Sequence, residues 1–318
     1  MAVKNQIIKE NYAIYLGDCI EVMKSLPDKS VHLSIYSPPF AGLYVYSSDK
    51  RDLSNSIDKK EFMIHYGFCV DQISRLTMPG RLSFVHCMDI PLSNAGCDDI
   101  YDLPGDIIKL HEERGFKYAG RRIIWKEPLG VRNRTMMKSL HHKTVCEDAT
   151  KCSIANADWL LTFRKKGENK IPVVHNQGIE NYAGENIPDA SILSYRCMSG
   201  DQKQNLYSQW VWRNYASSVW MDIRIDRVLP YLNSKDNEDE KHVHPLQLDV
   251  IERACELGSN KDEIVLTPFM GVGSEVYGSI INKRKAIGIE LKESYFNQAM
   301  KNLENIKLLK NTTEDMLL

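Results

Sequence analysis

The sequence centres on one stretch, which reads Val31-His32-Leu33-Ser34-Ile35-Tyr36-Ser37-Pro38-Pro39-Phe40. Apolar side chains alternate with others up to Tyr36, and a period of two predicts a β-strand. Two consecutive prolines then end the strand, because neither has an N–H group and both fix φ. Ligands bind at the carboxyl ends of strands in open α/β sheets, so we expect Ser37 to face a ligand. Because Phe40 can stack on a planar ring, the rigid acceptors beside it suit an amino group on a heteroaromatic ring.

A second pattern lies near the end of the chain, where two strands flank a glycine-containing loop. Ile264-Val265-Leu266 runs into Thr267-Pro268-Phe269-Met270-Gly271-Val272-Gly273-Ser274, a helix follows, and the strand Ala286–Ile289 ends in Glu290. Glycines let the backbone approach a cofactor closely, and an acid after the second strand can accept both hydroxyls of a ribose. Position 276 is valine, so the full Gly-x-Gly-x-x-Gly of dinucleotide enzymes is absent and a nicotinamide cofactor is disfavoured.

Together these two patterns resemble those of the amino-directed DNA methyltransferases. Ser37-Pro38-Pro39-Phe40 is similar to their catalytic tetrapeptide, in which Asp, Asn or Ser precedes Pro-Pro and an aromatic residue. The segment Thr267–Ser274 is similar to their Asp-Pro-Phe-x-Gly-x-Gly-Thr, with threonine in place of the first acid. The tetrapeptide comes first and the cofactor loop last, an order that resembles the beta-type circular permutation of the family. The resemblance spans Gly17 to about Tyr295.

The resemblance implies a fold, a cofactor and a set of site residues. The implied fold is α/β, a Rossmann-like S-adenosylmethionine-dependent methyltransferase core. It has a mixed, mostly parallel sheet with helices on both faces, plus a variable target-recognition insertion. The implied catalytic residues are Ser37, Pro38, Pro39 and Phe40. The implied contacts to S-adenosyl-L-methionine are Asp18, His244, Pro245, Thr267, Pro268, Phe269, Gly271, Gly273, Ser274 and Glu290. Because Thr267 replaces an acid, one carboxylate of the family's cofactor site is missing.

The resemblance also divides the chain into three segments. Residues 1–166 hold the catalytic part of the core, with a basic, DNA-contacting loop at 126–157. Residues 167–235 form the target-recognition region, and residues 236–318 hold the cofactor-binding part. The stretch 41–57 directly follows the tetrapeptide, and we expect it to form a lid over the bound base. In the recognition region Arg213 and Asn214 can read base edges. They lie within an aromatic cluster, of which Trp212 and Trp220 are expected to be packed inside the protein.

Composition and cysteine usage fit a protein of the cytosol. Hydrophobic residues make up 43% of the 318 residues and charged residues 26%, as in ordinary globular proteins. No apolar run reaches the length of a membrane span, and the N-terminus lacks a signal-peptide core. The eight cysteines include no Cys-x-x-Cys pair, so we expect a cytoplasmic protein with reduced thiols. No metal is expected, because no standard zinc pattern matches the spacing of His141, His142, Cys146 and Cys152.

Positive charge is concentrated in one part of the chain, although the formal net charge is −1. Between Lys117 and Lys143 there are eight Lys or Arg residues and one acid, Glu127. Since phosphate neutralisation dominates DNA affinity, this one-signed excess favours contacts to a DNA backbone. The predicted DNA-binding residues are Arg121, Arg122, Lys126, Arg132, Arg134, Lys138, His142, Lys143 and Arg213. The expected partner is double-stranded DNA, while a separate restriction endonuclease and a second copy of the chain, as a homodimer, are open as further partners.

The expected target of methylation is an exocyclic amino group of a base. Ser37 Oγ and the Pro38 carbonyl can accept the two amino hydrogens of a base that is flipped out of the duplex and stacked on Phe40. Carbon-5 methylation of cytosine is excluded, because it needs a Pro-Cys nucleophile and no proline precedes a cysteine here. Serine before Pro-Pro is commoner among the cytosine enzymes of the family, which favours N4 of cytosine. N6 of adenine, an RNA substrate, and an inactive DNA-binding relic that lacks the acid at Thr267 are the alternatives.

Overall fold

The computed structural model describes residues 3–39, 52–56, 58–94, 97–135, 138–196, 201–232 and 245–314. Its strands are β1 (Val3–Ile8), β2 (Tyr12–Gly17), β3 (Val31–Tyr36), β4 (Thr77–Met88), β5 (Ile90–Asn94), β6 (Cys97–Tyr101), β7 (Phe116–Ile124), β8 (Asp158–Lys165), β9 (Val219–Trp220), β10 (Ile264–Thr267) and β11 (Lys285–Glu290). Its helices are α1 (Cys19–Lys24), α2 (Lys59–Leu76), α3 (Leu103–Glu113), α4 (Pro128–Thr135), α5 (His142–Asp148), α6 (Ala190–Leu193), α7 (Leu206–Ala216), α8 (Leu248–Gly258), α9 (Ser274–Ile281) and α10 (Glu293–Glu314). Phe40, His244 and all of the predicted lid except residues 52–56 lie outside the described ranges.

The central sheet has nine described strands in the order β1-β2-β11-β10-β3-β4-β8-β7-β9. Its parallel pairings are β2 with β11, β11 with β10, β10 with β3, β3 with β4, and β7 with β9. β8 lies antiparallel between β4 and β7, and β1 lies antiparallel to β2. The sheet is therefore mixed and mostly parallel, which confirms the predicted fold class. The sequence of Arg121–Trp125 and of Asp158–Phe163 is typical of strands at the antiparallel part of such a sheet, and β7 and β8 do form an antiparallel pair.

Strand β3 is covered by helices on both faces of the sheet. Leu33 and Ile35 pack in a cluster that contains Val250 of α8. Val31 and Tyr36 pack in a second cluster with side chains of α2 and α3. Parallel strands are normally buried in this way, because their crossover helices lie on both faces. Among the described helices, none combines the length and the apolar character needed to cross a membrane.

The strand order of the sheet reverses between β10 and β3. From β10 the chain crosses through α9 to β11 on one side, and from β3 it crosses through α2 to β4 on the other. The two strands pair directly, with Val265 opposite Leu33. In open α/β proteins, ligands bind outside the carboxyl ends of the strands at such a point. The glycine loop after β10 and the tetrapeptide after β3 therefore meet at one edge of the sheet, although they are far apart in the sequence.

Several elements differ from the sequence expectations. The sequence patterns do not predict β1, the β5–β6 hairpin, α7 or α10. The sequence predicts a strand at Leu82–Cys87, whereas the observed β4 spans Thr77–Met88 and follows α2 directly. Met78-Pro79-Gly80 is expected from the sequence to end the preceding helix before this strand. It lies instead within β4, where Gly80 has a φ of +73° and the pairing with β3 shifts register. The sequence also predicts a helix that starts with the segment 243–248 and runs to Leu257, and the observed α8 begins at Leu248 and ends at Gly258.

Candidate functional site

The loop after β10 is tied to the end of β11 by a carboxylate. Glu290, the last residue of β11, accepts a hydrogen bond from the Gly271 N–H at 2.8 Å and another from the Lys292 N–H at 2.8 Å. Gly271 and Gly273 have φ of +54° and +92°, which other residues rarely adopt. A Cβ at Gly271 would meet no atom within 4 Å among the described residues. The loop therefore borders open space beside an acceptor, an arrangement that fits a ribose-containing cofactor.

Two carboxyl groups beside this loop hold their protons more tightly than usual. Burial raises the pKa of Glu290 to about 7, against the opposing effect of its backbone hydrogen bonds. Burial, reinforced by the charge of Glu290, raises the pKa of Glu275 to about 8. A group that donates hydrogen bonds to Glu290 favours its ionised form. A ligand that donates hydrogen bonds to Glu290 would therefore bind with loss of a proton near neutral pH.

Two buried hydroxyl groups at the loop, Thr267 Oγ1 and Ser274 Oγ, have no hydrogen-bond partner among the described residues. Their side chains are 1% and 2% exposed. Because buried polar groups are normally paired, an unpaired hydroxyl at the edge of a site indicates a place for a polar ligand atom. Thr267 thus presents a hydroxyl where the related motif has a carboxylate. Together with the acceptor at Glu290 and the space at Gly271, these groups fit the predicted cofactor.

Asp18 and Pro245 lie at other elements of the predicted cofactor site. Asp18 follows β2, which pairs with β11, and its Oδ1 accepts the Glu21 N–H at 3.0 Å as the N-cap of α1. The structure therefore gives Asp18 a capping contact, while the predicted contact to the cofactor stays a prediction. Pro245 is half-buried shortly before α8.

The described part of the tetrapeptide, Ser37–Pro39, continues directly from β3. Pro38 is buried, whereas Ser37 and Pro39 are half-buried. The preceding Tyr36 is fully buried, and its ring centre lies 6.0 Å from that of Phe269, which follows buried Pro268 in the cofactor loop. This contact joins the two halves of the predicted site, so the structure brings the tetrapeptide and the loop together.

Two residues that the sequence analysis missed lie beside Ser37. His86 Nδ1 is 2.9 Å from Ser37 Oγ, and His86 Nε2 is 3.0 Å from Asp158 Oδ2. Lys126 Nζ is also 3.0 Å from Asp158 Oδ2. His86 lies on β4 and Asp158 begins β8, so no local motif connects them. Both strands also carry other polar side chains, such as Ser83 on β4 and Thr162 on β8, so the sequence gives no specific signal for the pair.

Two of the cations predicted to bind DNA make contacts inside the protein. Lys126 is 8% exposed and forms the ion pair with Asp158. The Arg122 guanidinium donates to Thr162 Oγ1 at 3.1 Å and to the Tyr215 carbonyl at 3.3 Å. Burial lowers the pKa of Arg122 below its usual range. The structure thus ties Lys126 and Arg122 to neighbouring elements, a different role from the predicted contact to phosphate.

The other described cations lie nearer to solvent. The exposed residues of this set are Arg121, His142, Lys143 and Arg213. Arg132 is half-buried, and its Nε donates to His141 Nε2 at 2.9 Å. The side chains of Arg134 and Lys138 lie outside the described part of the structure. For the exposed cations, contact with DNA phosphates stays a prediction.

The aromatic cluster of the recognition region is packed only in part. Trp220 is 1% exposed, as expected. Trp212 is 58% exposed, so the expectation that it packs inside the protein is wrong. The reason is the helical spacing of α7, which buries Tyr207, Val211 and Tyr215 on one face and turns the residue after Val211 toward solvent.

Comparison with known proteins gives a match over most of the chain. A family model described as DNA methylase matches residues 31–301, which include both halves of the site. The type II methyltransferase M.BglII of Bacillus subtilis is 23% identical over 315 residues, which cover 95% of this chain and 74% of the relative. M.ScaI of Streptomyces caespitosus, another type II methyltransferase, is 21% identical over 295 residues, which cover 92% of this chain and 81% of the relative.

Solved structures share the fold. The PvuII DNA methyltransferase, described as cytosine-N4-specific, matches with a TM-score of 0.60 at 15% identity and covers 94% of this chain and 89% of that chain. TTHA0409 of Thermus thermophilus, in a structure complexed with S-adenosyl-L-methionine, has a TM-score of 0.58 at 20% identity. That match covers 90% of this chain and 92% of that chain. At these identities the similarity establishes the α/β fold of the chain.

Proposed function

The chain belongs to the N6/N4 family of DNA methylases, and from this premise we propose that it transfers a methyl group from S-adenosyl-L-methionine to N4 of cytosine in double-stranded DNA. Serine at the first position of the tetrapeptide favours cytosine over the 6-amino group of adenine. The observation that carries the proposal is the pairing of β3 with β10, because it brings Ser37 and the glycine loop to one crevice.

The residues around the glycine loop suit the cofactor, which supplies a methyl group bound to a positively charged sulfur. Glu290 is proposed to accept hydrogen bonds from the ribose hydroxyls while it holds the Gly271 N–H. The buried hydroxyls of Thr267 and Ser274 offer polar contacts in place of the missing acid. Phe269 and Asp18 are proposed to contact the rest of the cofactor.

Ser37 and Pro38 are proposed to prepare the amino group for methylation. An exocyclic amino nitrogen is a weak nucleophile, because its lone pair is delocalised into the ring. If Ser37 Oγ and the Pro38 carbonyl accept the two amino hydrogens, the nitrogen becomes pyramidal and its lone pair can reach the methyl group. Preorganised acceptors lower the barrier in this way without a covalent intermediate. Since the amino group is enclosed in duplex DNA, the base is proposed to flip into the crevice and stack on Phe40.

The exposed cations are proposed to hold the DNA backbone around the flipped base. Arg121 lies on β7, which pairs antiparallel with β8, and its guanidinium lies 4.3 Å from the centre of the Trp159 ring. Arg213 and the exposed Trp212 share the solvent side of α7. Cations bind phosphates, and aromatic rings at a surface can stack on bases. We propose that these two places contact the duplex on either side of the target.

A partner is proposed from the names of the relatives, which are type II methyltransferases. We infer that this chain protects DNA against a restriction endonuclease. Since no nuclease or helicase motif is visible in the given sequence, we propose that the endonuclease is a separate chain. Resistance of genomic DNA from the producing cell to an endonuclease that recognises the same site would support this pairing.

The proposed function is tested by identifying the modified nucleoside. Purified protein is incubated with unmethylated genomic DNA and S-adenosyl-L-methionine, and the DNA is digested and analysed by mass spectrometry. We expect N4-methyldeoxycytidine. N6-methyldeoxyadenosine would move the target to adenine, and methylation of RNA alone would contradict the proposal.

Ser37→Ala separates catalysis from binding in the same assay. The variant lacks the hydroxyl acceptor, so we expect its single-turnover rate to fall by roughly 100-fold or more, with DNA and cofactor affinity kept. Ser25→Ala is the matched control, because Ser25 donates to the Val22 carbonyl in α1, away from the tetrapeptide. An unchanged rate in Ser37→Ala would contradict the role of the hydroxyl.

A further inference from the structure

A chain of four polar side chains runs inward from the end of β3. Ser37 Oγ lies 2.9 Å from His86 Nδ1, and His86 Nε2 lies 3.0 Å from Asp158 Oδ2. Lys126 Nζ lies 3.0 Å from the same carboxylate oxygen. Ser37 directly follows β3, His86 lies on β4, Asp158 begins β8 and Lys126 follows β7, so the pairing of the sheet holds the four residues together. The contacts connect the proposed acceptor of the amino hydrogens to an ion pair.

Three of the four side chains are almost completely removed from water. The exposed fraction is 9% for His86, 3% for Asp158 and 8% for Lys126. Burying an acid and a base costs free energy unless the two are paired. Here the opposite charges compensate each other. His86 therefore faces a pair without net charge instead of an isolated carboxylate.

We propose that His86 is held as the neutral Nε2–H tautomer and that, through Ser37, it accepts the proton released when the amino group is methylated. Asp158, ionised beside Lys126, can only accept a hydrogen bond, so the ring proton of His86 lies on Nε2. Nδ1 is then an acceptor, and Ser37 donates its hydroxyl hydrogen to it. Ser37 Oγ therefore keeps its lone pairs available to accept one amino hydrogen of the base, while the Pro38 carbonyl accepts the other.

The proton transfer balances in atoms and charge. As the nitrogen–carbon bond forms, the carbon–sulfur bond breaks and leaves a neutral thioether. One nitrogen–hydrogen bond of the amino group breaks, and its proton passes to Ser37 Oγ. The hydroxyl proton of Ser37 passes to His86 Nδ1. The positive charge ends on the imidazole ring, where the carboxylate of Asp158 stabilises it.

This inference rests on the proposed function and deepens it. His86 acts through Ser37 and is a positioning residue for the proton, and Asp158 and Lys126 orient it in turn. Lys126 thereby belongs to the interior of the site, which agrees with its burial and differs from the phosphate contact predicted from the sequence.

The first test observes His86 in the protein without DNA or cofactor. Protein labelled with nitrogen-15 in histidine gives two-bond proton–nitrogen correlations that distinguish the tautomers, and His86→Gln identifies the signals of residue 86. We expect a protonated Nε2 and an unprotonated Nδ1. A ring protonated on Nδ1 alone, or on both nitrogens, under the conditions of the methylation assay would overturn the proposal.

The second test separates proton transfer from hydrogen bonding. His86→Asn keeps an oxygen near the position of Nδ1 that can accept from Ser37, but it cannot bind a proton. We expect its single-turnover rate to fall about 100-fold, the scale of general base catalysis, while KM for DNA and Kd for the cofactor are unchanged. A wild-type rate in His86→Asn overturns the proposal.

A matched control uses a histidine at the opposite end of β3. His32 Nδ1 accepts the Ile264 N–H at 3.3 Å, so His32→Asn alters a half-buried imidazole contact away from Ser37 and should keep the rate. Melting temperatures of both variants show whether either change unfolds the protein. The methylation assay and the tautomer measurement together distinguish failure of the proposed function from failure of the proposed role of His86. If the wild-type protein methylates no DNA, the proposed function fails, and the tautomer measurement still decides the state of His86.

Discussion

Glu290 couples the glycine loop to protonation near neutral pH. Burial raises the pKa of its carboxyl group to about 7. Ribose hydroxyls donate hydrogen bonds, and they bind an ionised carboxylate more strongly than a protonated one. If Glu290 accepts from the ribose hydroxyls as proposed, cofactor binding favours release of the proton from its carboxyl group.

We expect the affinity for S-adenosyl-L-methionine to rise as the pH rises through about 7 and to level off above it. Below this pH, binding must first remove a proton from Glu290, which costs free energy. Glu290→Gln cannot ionise, so it should bind about tenfold more weakly and lose this pH dependence. Calorimetric titration at several pH values measures both effects. Glu293→Gln, which changes an exposed carboxylate three residues along the chain, should retain the wild-type profile. A persistent pH dependence in Glu290→Gln would count against the assignment.

The variant Thr267→Val tests whether the Thr267 hydroxyl takes the place of the acid in the related motif. Thr267 Oγ1 is buried and unpaired among the described residues, so Thr267→Val removes no contact inside that part of the protein. We expect cofactor affinity to fall by roughly 3- to 10-fold, the effect of one neutral hydrogen bond, with the free energy of unfolding kept or raised. Thr77→Val is the opposite case, because Thr77 Oγ1 donates to the Ile73 carbonyl far from the loop. It should cost stability and leave affinity unchanged, and equal affinities in both variants would exclude the contact.

At the scale of elements, the glycine loop between β10 and α9 combines backbone conformations that favour glycine with close packing against α10. Gly271 and Gly273 both have positive φ. A Cβ at Gly273 would lie 3.1 Å from Ala299 Cβ on α10, whereas a Cβ at Gly271 would point into open space among the described residues. Gly273 therefore permits close packing against α10, whereas Gly271 leaves the space beside the loop accessible.

Replacing each glycine with alanine should separate the effect on packing from the effect on cofactor access. Both variants place a side chain at positive φ, which costs about 1–2 kcal/mol. Gly273→Ala should lose more stability than Gly271→Ala, since α10 must also shift. Gly271→Ala should weaken cofactor binding more, because its methyl group enters the space beside the loop. Urea unfolding measures the stability of each variant, and calorimetry measures its cofactor affinity. The reverse order of the two variants in either measurement would contradict the roles assigned to the two glycines.

The elements of the site region were predictable where local patterns were sufficient. Alternation and the two prolines predict β3 with its observed bounds, Val31–Tyr36. The bounds of β4 were predicted less well, because pairing with β3 and the φ of Gly80 extend it through Pro79. The exposure of Trp212 could not be predicted from the composition of its segment, because it depends on which face of α7 packs against the protein.

At the scale of the whole molecule, the charge balance governs DNA binding. The net charge is −1, so an unspecific attraction of the whole protein to DNA is weak and the exposed cations must act locally. Lys126 and Arg122 are tied inside the protein, which leaves a smaller set of exposed side chains for phosphate.

DNA affinity should fall steeply with salt, and single cations should change the slope. Each phosphate contact contributes about 0.9 to the slope of log affinity against log salt concentration. Arg121→Ala or Arg213→Ala should therefore lower the slope by about one, as measured by fluorescence anisotropy. Lys301→Ala changes an exposed lysine on α10, which packs at the other end of the sheet, and should leave the slope unchanged. A slope that is the same in all variants would remove Arg121 and Arg213 from the interface.

The sequence alone determined the methyltransferase core, because strand alternation, proline breaks and the glycine loop are local features with direct structural consequences. It also predicted the two halves of the proposed site, Ser37–Phe40 and Thr267–Ser274. Only the tertiary structure decided that Lys126 turns inward to Asp158 and that His86 stands between Asp158 and Ser37. These residues are far apart in the chain, and their contacts depend on strand order and register, which no short pattern encodes.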